Sequence, residues 1–243
     1  LESLLSANPS SIVCLMHVHN ESGVVLDVEK VSTLCKKHKS LFFCDTVASM
    51  GKLEIDLTNS GIDLACCSGH KLHATRGIGF LYKKNNLDLI PLHTGGGQEF
   101  GLRSGTENLP AIVGLAKAFE IANNNLENNT VKIFSLKEYL KNSLKSIFPN
   151  IKIIAEETET IYSTLTLALP KNLSNSKLIY ELSENEIAIS SGSACHDGQK
   201  LSVMMELSEL KEYISIRISL SKFNTQKEIE YFVGIFSELI NDL

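Results

Sequence analysis

The sequence lacks the features that mark membrane-spanning, exported and nucleic-acid-binding proteins. No stretch approaches the roughly 18 consecutive apolar residues that cross a bilayer, and the first residues show no basic-then-apolar signal pattern. No run of Lys or Arg occurs and the formal net charge is -5, so neither nucleic acid nor an anionic membrane is expected as a direct partner. These absences predict a soluble, cytoplasmic protein.

The sequence also lacks the cysteine spacing of a disulfide framework or a zinc site. It contains no CxxC pair among its six cysteines: Cys14, Cys35, Cys44, Cys66, Cys67 and Cys195. Four of them lie in or beside apolar runs, where cysteine behaves as a small buried hydrophobic residue. Several histidines lie on different predicted elements without regular ligand spacing: His17, His19, His73 and His93. We therefore predict no metal site.

What the sequence does contain is an alternation of apolar runs with amphipathic stretches, which is typical of an α/β fold. The chain has 243 residues, of which 43% are hydrophobic, enough for a substantial core. The predicted strands are 11–18, 40–45, 61–69 and 77–83, and a helix is predicted over 27–39 between the first two. Strands this apolar usually lie between helix layers in a parallel or mixed sheet.

The second half of the chain predicts a smaller α+β domain. A glycine-rich loop, 93–108, precedes a helix from about 108 to 125, and the polar stretch 123–130 is the predicted break between domains. The domains predicted on this basis are 1–122 and 123–243. Beyond the break we expect helices at 131–148 and 175–184, strands at 151–156, 163–169 and 213–220, and a closing helix. That closing helix repeats apolar residues at helical spacing: Ile229, Phe232, Val233, Phe236, Leu239 and Ile240.

Two titratable residues follow predicted strands of the first domain. Lys71 follows the strand that ends in "CCSG", and Asp45 ends the strand "LFFCD". Open α/β sheets bind ligands at the carboxyl ends of their strands. Pyridoxal phosphate enzymes pair such a lysine, in Schiff-base linkage to the aldehyde, with an aspartate on the pyridinium nitrogen. The alternatives are a solvated lysine at a strand end and an aspartate that caps the turn 46–49.

Seven segments together resemble the cysteine desulfurases of the NifS/IscS group. They occur in the family's order and approximate spacing: "MHVHNESG" (16–23), "CDTVASMGK" (44–52), "SGHK" (68–71), "RGIGFLY" (76–82), "GGGQEFGLRSGTEN" (95–108), "SSGSAC" (190–195) and "SIRISL" (215–220). The resemblance implies the fold of type I pyridoxal phosphate enzymes and a homodimer. It also implies that the sequence is the C-terminal portion of such a protein. This portion would comprise the remainder of the large domain, with a mixed and mostly parallel sheet, followed by the small domain.

The resemblance also implies which residues bind the cofactor and the substrate. Lys71 matches the lysine that forms the Schiff base, and Asp45 matches the aspartate on the ring nitrogen. Asn20 matches the asparagine near the ring oxygen and the substrate carboxylate. Arg217 matches the arginine that clamps that carboxylate, a task suited to a planar bidentate donor.

Four further residues have counterparts in the family. Ser68 and His70 match phosphate contacts, and Thr106 matches the threonine that reaches the phosphate in the partner subunit. Cys195 matches the cysteine that takes sulfur from L-cysteine as a persulfide, leaving L-alanine, and passes it to a protein acceptor such as an iron–sulfur scaffold or a thiolation protein. Taken alone, Cys195 is an ordinary loop cysteine, and we interpret the adjacent His196 as a solvated loop histidine.

The sequence departs from the family in four ways. Ala48 stands where the family has a glutamine, and Ala74-Thr75 replaces a Gly-Pro pair. The stretch between Cys195 and Arg217 is a few residues shorter, and the family's front half of the large domain has no counterpart. Two alternative functions follow: a truncated or decayed paralogue that acts as a dimer partner or sulfur-relay scaffold, and a selenocysteine lyase.

Overall fold

The structure is a computed structural model that describes residues 1–170, 175–190, 210 and 213–241. Its helices are α1 (Glu2–Ala7), α2 (Val28–Lys37), α3 (Leu109–Asn124), α4 (Leu126–Ile147), α5 (Asn175–Glu184) and α6 (Gln226–Asn241). Its strands are β1 (Ile12–Met16), β2 (Leu41–Asp45), β3 (Leu64–Ser68), β4 (Gly79–Lys83), β5 (Lys152–Ile153), β6 (Thr164–Pro170) and β7 (Tyr213–Ser219). Among the described residues, no helix is long and apolar enough to cross a membrane.

The chain divides into two compact units. Unit 1 comprises Leu1–His17 and Leu26–Leu126, and unit 2 comprises Val18–Val25 and Glu127–Leu243. The short segment Val18–Val25 therefore belongs to unit 2, although the residues on both sides of it belong to unit 1.

Unit 1 contains a four-stranded sheet in the order β1-β2-β3-β4. The first three strands are parallel, and β4 pairs antiparallel with β3. Helix α2 connects β1 to β2, as expected of a parallel crossover. It begins at the N-cap Asp27, whose carboxylate accepts a hydrogen bond from the Lys30 amide. The predicted α/β character and the predicted strand positions are confirmed.

The two faces of this sheet differ in what covers them. On one face a buried cluster joins the sheet to the first two helices: Leu5, Val13, Val31, Cys35, Phe42, Cys44, Ile62 and Ala65. The other face includes the exposed side chains of Ile12, Met16 and Leu81. The core of unit 1 therefore lies on the helix side of the sheet.

The described residues of unit 2 form the three-stranded antiparallel sheet β5-β6-β7 and three helices. Helix α4 buries one apolar stripe: Ile133, Leu136, Leu140 and Leu144. The predicted stripe of the closing helix is confirmed, because Ile229, Phe232, Val233 and Phe236 are all buried. Burial of each such side chain contributes about 1.5–3 kcal/mol, so these stripes hold the helices on the sheet.

The two compact units divide within the polar stretch 123–130, but the backbone of this stretch differs from the predicted start of a helix at 131. It is helical on both sides of Asn125, because α3 runs to Asn124 and α4 begins at Leu126. Helix α4 therefore starts five residues earlier than predicted, before its first buried residue, Ile133. Most helical stability in proteins comes from packing of an apolar face, and that packing extends a helix into residues of low propensity.

Candidate active site

The carboxyl ends of the parallel strands in unit 1 lie along one edge of the sheet. The register pairs Met16 with Asp45 and Asp45 with Cys66, so β2 ends at Asp45 beside β3. The backbone continues this alignment, because the His17 amide donates to the Asp45 carbonyl at 2.9 Å. The structure thus places the carboxylate of Asp45 at the edge where open α/β sheets bind ligands.

Asp45 is half-buried and also caps a turn. Its Oδ1 accepts a hydrogen bond from the Val47 amide at 2.9 Å. Thr46 joins this turn to β3, since its hydroxyl donates to the Cys66 carbonyl at 2.7 Å. The capping role considered from the sequence is therefore present, and it occupies only one of the two carboxylate oxygens. Ala48, which stands where the family has a glutamine, lies half-buried in the same turn.

The thiol nearest Asp45 is held in its neutral form. Burial raises the pKa of Cys66, and the charge of the Asp45 carboxylate raises it further. The same two causes raise the pKa of Cys44 to about 12. These two cysteines are therefore unsuited to act as thiolate nucleophiles.

Lys71 lies in the short 3-10 turn Gly69–Leu72 that directly follows β3. Both Lys71 and His70 are exposed, and the His70 Nδ1 is 2.8 Å from the Ser68 hydroxyl. A lysine amine, a histidine and a serine hydroxyl are thus presented within four residues of the chain.

Glycine is required where this turn packs on the rest of unit 1. A Cβ at Gly69 would lie 2.8 Å from Ile78 Cγ2 and 3.1 Å from the Ile78 carbonyl oxygen. A Cβ at Gly79 would lie 2.2 Å from the Cys67 carbonyl oxygen. These close approaches give Gly69 and Gly79 a structural reason.

The glycine-rich loop 93–105 closes on itself through hydrogen bonds from Ser104 to the backbone of His93. The Ser104 hydroxyl and amide both donate to the His93 carbonyl, at 3.0 and 3.2 Å. Glu99 and Phe100 adopt the left-handed conformation, with φ of 49° and 59°. Thr106 follows this loop and is exposed.

Unit 2 holds two more of the predicted residues, and it brings them into contact. Arg217, in the middle of β7, donates from Nη1 to the Asn20 carbonyl at 2.7 Å. Burial lowers the pKa of Arg217, and the nearby charge of Glu21 opposes that effect. Within the described part of the chain, Arg217 Nε is buried without a hydrogen-bond partner. A buried, unpaired guanidinium donor is suited to an anionic ligand.

The remaining predicted residue, Cys195, lies outside the described residues, as does His196. The described residues contain no group of three or more His, Cys, Asp or Glu side chains that could hold a metal ion. A groove of about 730 Å³ in unit 1 is lined by Met50, Phe80, Leu115 and other apolar side chains, and it includes none of the predicted site residues.

Comparison with known proteins identifies the family. The model of the protein family described as "Aminotransferase class-V" matches residues 1–232 of this chain. This chain belongs to the aminotransferase class-V family. Members of this family use pyridoxal phosphate, and the resemblance to NifS/IscS proteins drawn from the seven segments is confirmed.

Named relatives of this class-V chain are cysteine desulfurases. The cysteine desulfurase of Trichormus azollae is 32% identical over 247 residues, which cover 100% of this chain and 61% of that protein. The cysteine desulfurase IscS of Ehrlichia chaffeensis is 35% identical over 239 residues, which cover 96% of this chain and 58% of that protein. The chain thus spans about three fifths of the length of these relatives.

The fold is shared with solved structures. The NifS-like protein from Rickettsia africae superposes with a TM-score of 0.90 at 33% identity, covering 99% of this chain and 65% of that one. The predicted fold, a mixed and mostly parallel sheet of the type I pyridoxal phosphate enzymes, is confirmed.

The residues present in unit 1 fit pyridoxal phosphate by the chemistry of their side chains. The cofactor needs an amine for its aldehyde, a carboxylate for its ring nitrogen, and donors for its phosphate. Unit 1 supplies Lys71, Asp45, and the Ser68 and His70 pair at or just beyond one edge of its sheet.

Proposed function

We propose that this chain contributes the cofactor-binding and substrate-binding residues of a pyridoxal-phosphate-dependent cysteine desulfurase. The observation that carries the proposal is the strand register that puts Asp45 beside Cys66, two residues before the end of β3, with Lys71 in the turn that follows. An amine and a carboxylate at the ends of adjacent parallel strands are the two groups that hold this cofactor by opposite ends.

In this proposal each side chain of unit 1 has a defined task. Lys71 Nζ would hold the cofactor aldehyde and, once displaced by the substrate amine, would take the proton from the substrate α-carbon. Asp45 would keep the ring nitrogen protonated, and Ser68 and His70 would hold the phosphate. When bound, pyridoxal phosphate supplies a ring that accepts the electrons left on the α-carbon.

Substrate recognition falls to unit 2 in this proposal. Arg217 would bind the carboxylate of L-cysteine through its guanidinium, whose Nε is buried and unpaired within the described residues, and Asn20 would assist. A desolvated guanidinium binds a carboxylate more strongly than a hydrated one. Binding of the substrate carboxylate would account for an arginine that lies half-buried in the middle of a strand.

Sulfur transfer in the proposal requires Cys195. Its thiolate attacks the sulfur of L-cysteine, so that a new S–S bond forms while the substrate C–S bond breaks. The electron pair of the broken bond would pass to the carbon skeleton, and a proton added at the β-carbon together with the return of the α-proton would complete L-alanine. The persulfide on Cys195 would then pass its outer sulfur to a protein acceptor, either an iron–sulfur scaffold or a thiolation protein.

The desulfurase is preferred to the two alternatives. The relatives are named cysteine desulfurases, which favours this activity over a selenocysteine lyase. A scaffold that only pairs with another subunit has no chemical need for Lys71, Asp45 and Arg217 together.

The test is the visible absorbance of the purified protein after incubation with pyridoxal phosphate, followed by assays of alanine and sulfide after L-cysteine is added. We expect Lys71→Ala to remove the Schiff-base absorbance and the activity. Lys117→Ala, an exposed lysine on α3, is the matched control and should keep both. Cys195→Ser should keep the absorbance and lose sulfur transfer. Wild-type absorbance that Lys71→Ala leaves unchanged would rule out the assignment.

A homodimer is part of the same proposal, because Thr106 is expected to reach the phosphate of the partner subunit. Three large apolar side chains in or just before the glycine-rich loop support it: Ile90, Leu92 and Phe100 are 96%, 90% and 99% exposed. Phe100 also has a positive φ, which is rare for an aromatic residue unless its surroundings hold it. A protein partner over this loop would bury these side chains.

The dimer is tested by measuring the molar mass in solution. Phe100→Asp should shift the protein to monomer, and aspartate tolerates a positive φ better than phenylalanine, so the change adds no backbone strain. Phe223→Asp, an exposed phenylalanine in unit 2, is the control and should leave the mass unchanged. An unchanged mass for Phe100→Asp would contradict the proposed interface. The cytoplasmic location and the acceptor protein stay predictions.

A further inference from the structure

The segment Val18–Val25 forms a tight turn that carries Asn20. The His19 amide donates to the Val24 carbonyl and the Gly23 amide donates to the His19 carbonyl, at 2.9 and 2.8 Å. Val18 and Val25 pair as an isolated bridge at the base of the turn. We refer to Val18–Val25 as the Asn20 turn.

The Asn20 turn is attached to the rest of unit 2 through its C-terminal half. The Val25 amide donates to the Glu159 carbonyl at 3.0 Å, and the Ile161 amide donates to the Gly23 carbonyl at 2.8 Å. Gly23 lies against β6, since a Cβ there would be 3.2 Å from Thr164 Cβ. These contacts fix the base of the turn and leave its tip, Asn20 and Glu21, to be held by other groups.

Two side chains from neighbouring strands hold the tip. The Arg217 guanidinium donates to the Asn20 carbonyl at 2.7 Å, and the Thr166 hydroxyl donates to the Glu21 carbonyl at 2.6 Å. Thr166 and Arg217 are directly opposite each other in the β6–β7 register, so their side chains lie on the same face of the sheet. The pair thus holds two consecutive carbonyls of the chain.

Thr166 has features of a residue selected for this contact rather than for packing alone. It is 2% exposed, and a buried hydroxyl must be hydrogen-bonded or it destabilises the fold. Along β6 its neighbours Leu165, Leu167 and Ala168 are also buried and apolar. A valine would fill the same volume at this position without requiring a partner.

We infer that Thr166 is a positioning residue for substrate binding: its hydroxyl and the Arg217 guanidinium together fix the consecutive carbonyls of Glu21 and Asn20, so that Asn20 and Arg217 are presented to the substrate carboxylate in one fixed arrangement. The functional half of this inference rests on the proposed function, which assigns substrate binding to Asn20 and Arg217. The structural half does not, because it concerns only how the turn is held.

The structural half is tested by amide hydrogen exchange of the protein without cofactor. Thr166→Val removes the hydroxyl at constant volume, and we expect the Gly23 and Val25 amides to exchange roughly 3- to 10-fold faster, the range for loss of one ordinary hydrogen bond. Thr166→Ser keeps the hydroxyl and should exchange as the wild type does. If the valine variant does not accumulate in folded form, Thr166→Ala takes its place with the same expected shift.

The matched control is Thr225→Val, a threonine in the same unit that caps α6. Thr225 and Glu228 exchange hydrogen bonds at the start of that helix, so the variant loses stability without touching the Asn20 turn. We expect normal exchange at Gly23 and Val25 in this variant. Normal exchange in Thr166→Val, or a shift of equal size in Thr225→Val, would overturn the inference.

The functional half is tested by alanine formation at varied L-cysteine concentration. Thr166→Val should raise KM roughly 3- to 10-fold with little change in kcat, because the lost contact acts on binding, and Thr166→Ser should restore the wild-type value. A fall in kcat at unchanged KM would overturn it. If the wild type forms no alanine, the proposed function fails, and the exchange experiment still decides whether Thr166 holds the turn.

Discussion

Replacement of Lys137 by methionine should destabilise unit 2 measurably. Lys137 lies on α4 and is only 7% exposed. Its Nζ donates to the Thr160 hydroxyl at 2.8 Å and to the Ile161 carbonyl at 2.9 Å. Both acceptors lie in the segment that binds the base of the Asn20 turn. The substitution keeps most of the side-chain volume and removes both donors.

The magnitude follows from two opposing effects. A hydrogen bond that involves a charged group contributes about 1.5–3 kcal/mol, and the variant loses two of them. Removal of a buried ammonium group recovers part of its desolvation cost. We expect a net loss of about 2 kcal/mol in the free energy of unfolding, which lowers the melting temperature by roughly 4–8 °C in a protein of this size.

The difference in the free energy of unfolding between the wild type and Lys137→Met should also depend on pH. Burial lowers the pKa of Lys137, so below its usual value of about 10.4 the unfolded chain binds more protons at this site than the folded protein does. The contribution of Lys137 to the free energy of unfolding therefore rises as the pH rises from the lowered pKa toward that value. The difference between wild type and Lys137→Met should grow over the same interval.

The assay is urea denaturation at several pH values, with Lys141→Met as the matched control. Lys141 is on the same helix and forms a partly exposed ion pair with Glu138, and such pairs contribute about 0–1 kcal/mol. If Lys137→Met unfolds at the same urea concentration as the wild type, or if its difference shrinks as the pH rises, the role assigned to this lysine is wrong.

Two further outcomes are expected. At about pH 8 a thiolate-directed reagent should modify the exposed Cys14 in the folded protein and leave Cys44 unmodified. The reason is that burial raises the pKa of Cys44 to about 12. Equal labelling of the two cysteines, measured by mass spectrometry, would contradict this. Gly51→Ala should lower the melting temperature, since Gly51 has φ +71° and its new Cβ would lie 2.2 Å from Leu72 Cδ2. Gly114→Ala is the control, because a Cβ at this position on α3 would lie in open space. It should raise the melting temperature, since alanine in a helix is more stable than glycine by about 0.5–1 kcal/mol.

The helices and strands of this chain were largely predictable because their signals are local. The apolar spacing of 27–39 predicts the helix α2, and in the structure its first predicted residue, Asp27, is the N-cap. The repeat from Ile229 to Phe236 predicts which face of α6 is buried, and that face is buried. Caps and helical periodicity require only neighbouring residues, so one sequence reveals them.

The helix that follows the predicted break was expected to begin at 131, for an equally local reason, and it begins at Leu126, inside the stretch 123–130. Its asparagines have low helix propensity. The outcome depended instead on Ile133 and the other buried residues of α4, which propagate the helix back to Leu126. Tertiary packing outweighed propensity at this point.

The candidate site also has some features that local sequence predicts and others that depend on residues far apart in the chain. Asp45 and Lys71 are placed by the ends of their own strands, so the sequence predicts that they lie at the sheet edge, while their catalytic roles stay proposals. The hydrogen bonds of Thr166 and Arg217 to the tip of the Asn20 turn gave no local signal in the sequence. Thr166 lies 145 residues from Glu21, and Arg217 lies 197 residues from Asn20. Contacts over such separations leave no periodic trace in a single sequence.

This separation also affects how the protein is made. Because Asn20 precedes Arg217 by 197 residues, a ribosome that adds about 5–20 residues per second finishes the second group roughly 10–40 s after the first. During that interval the Asn20 carbonyl is exposed without the Arg217 donor that holds it in the folded protein. Slowing translation within 26–126 would lengthen this exposure without changing a single contact in the finished molecule.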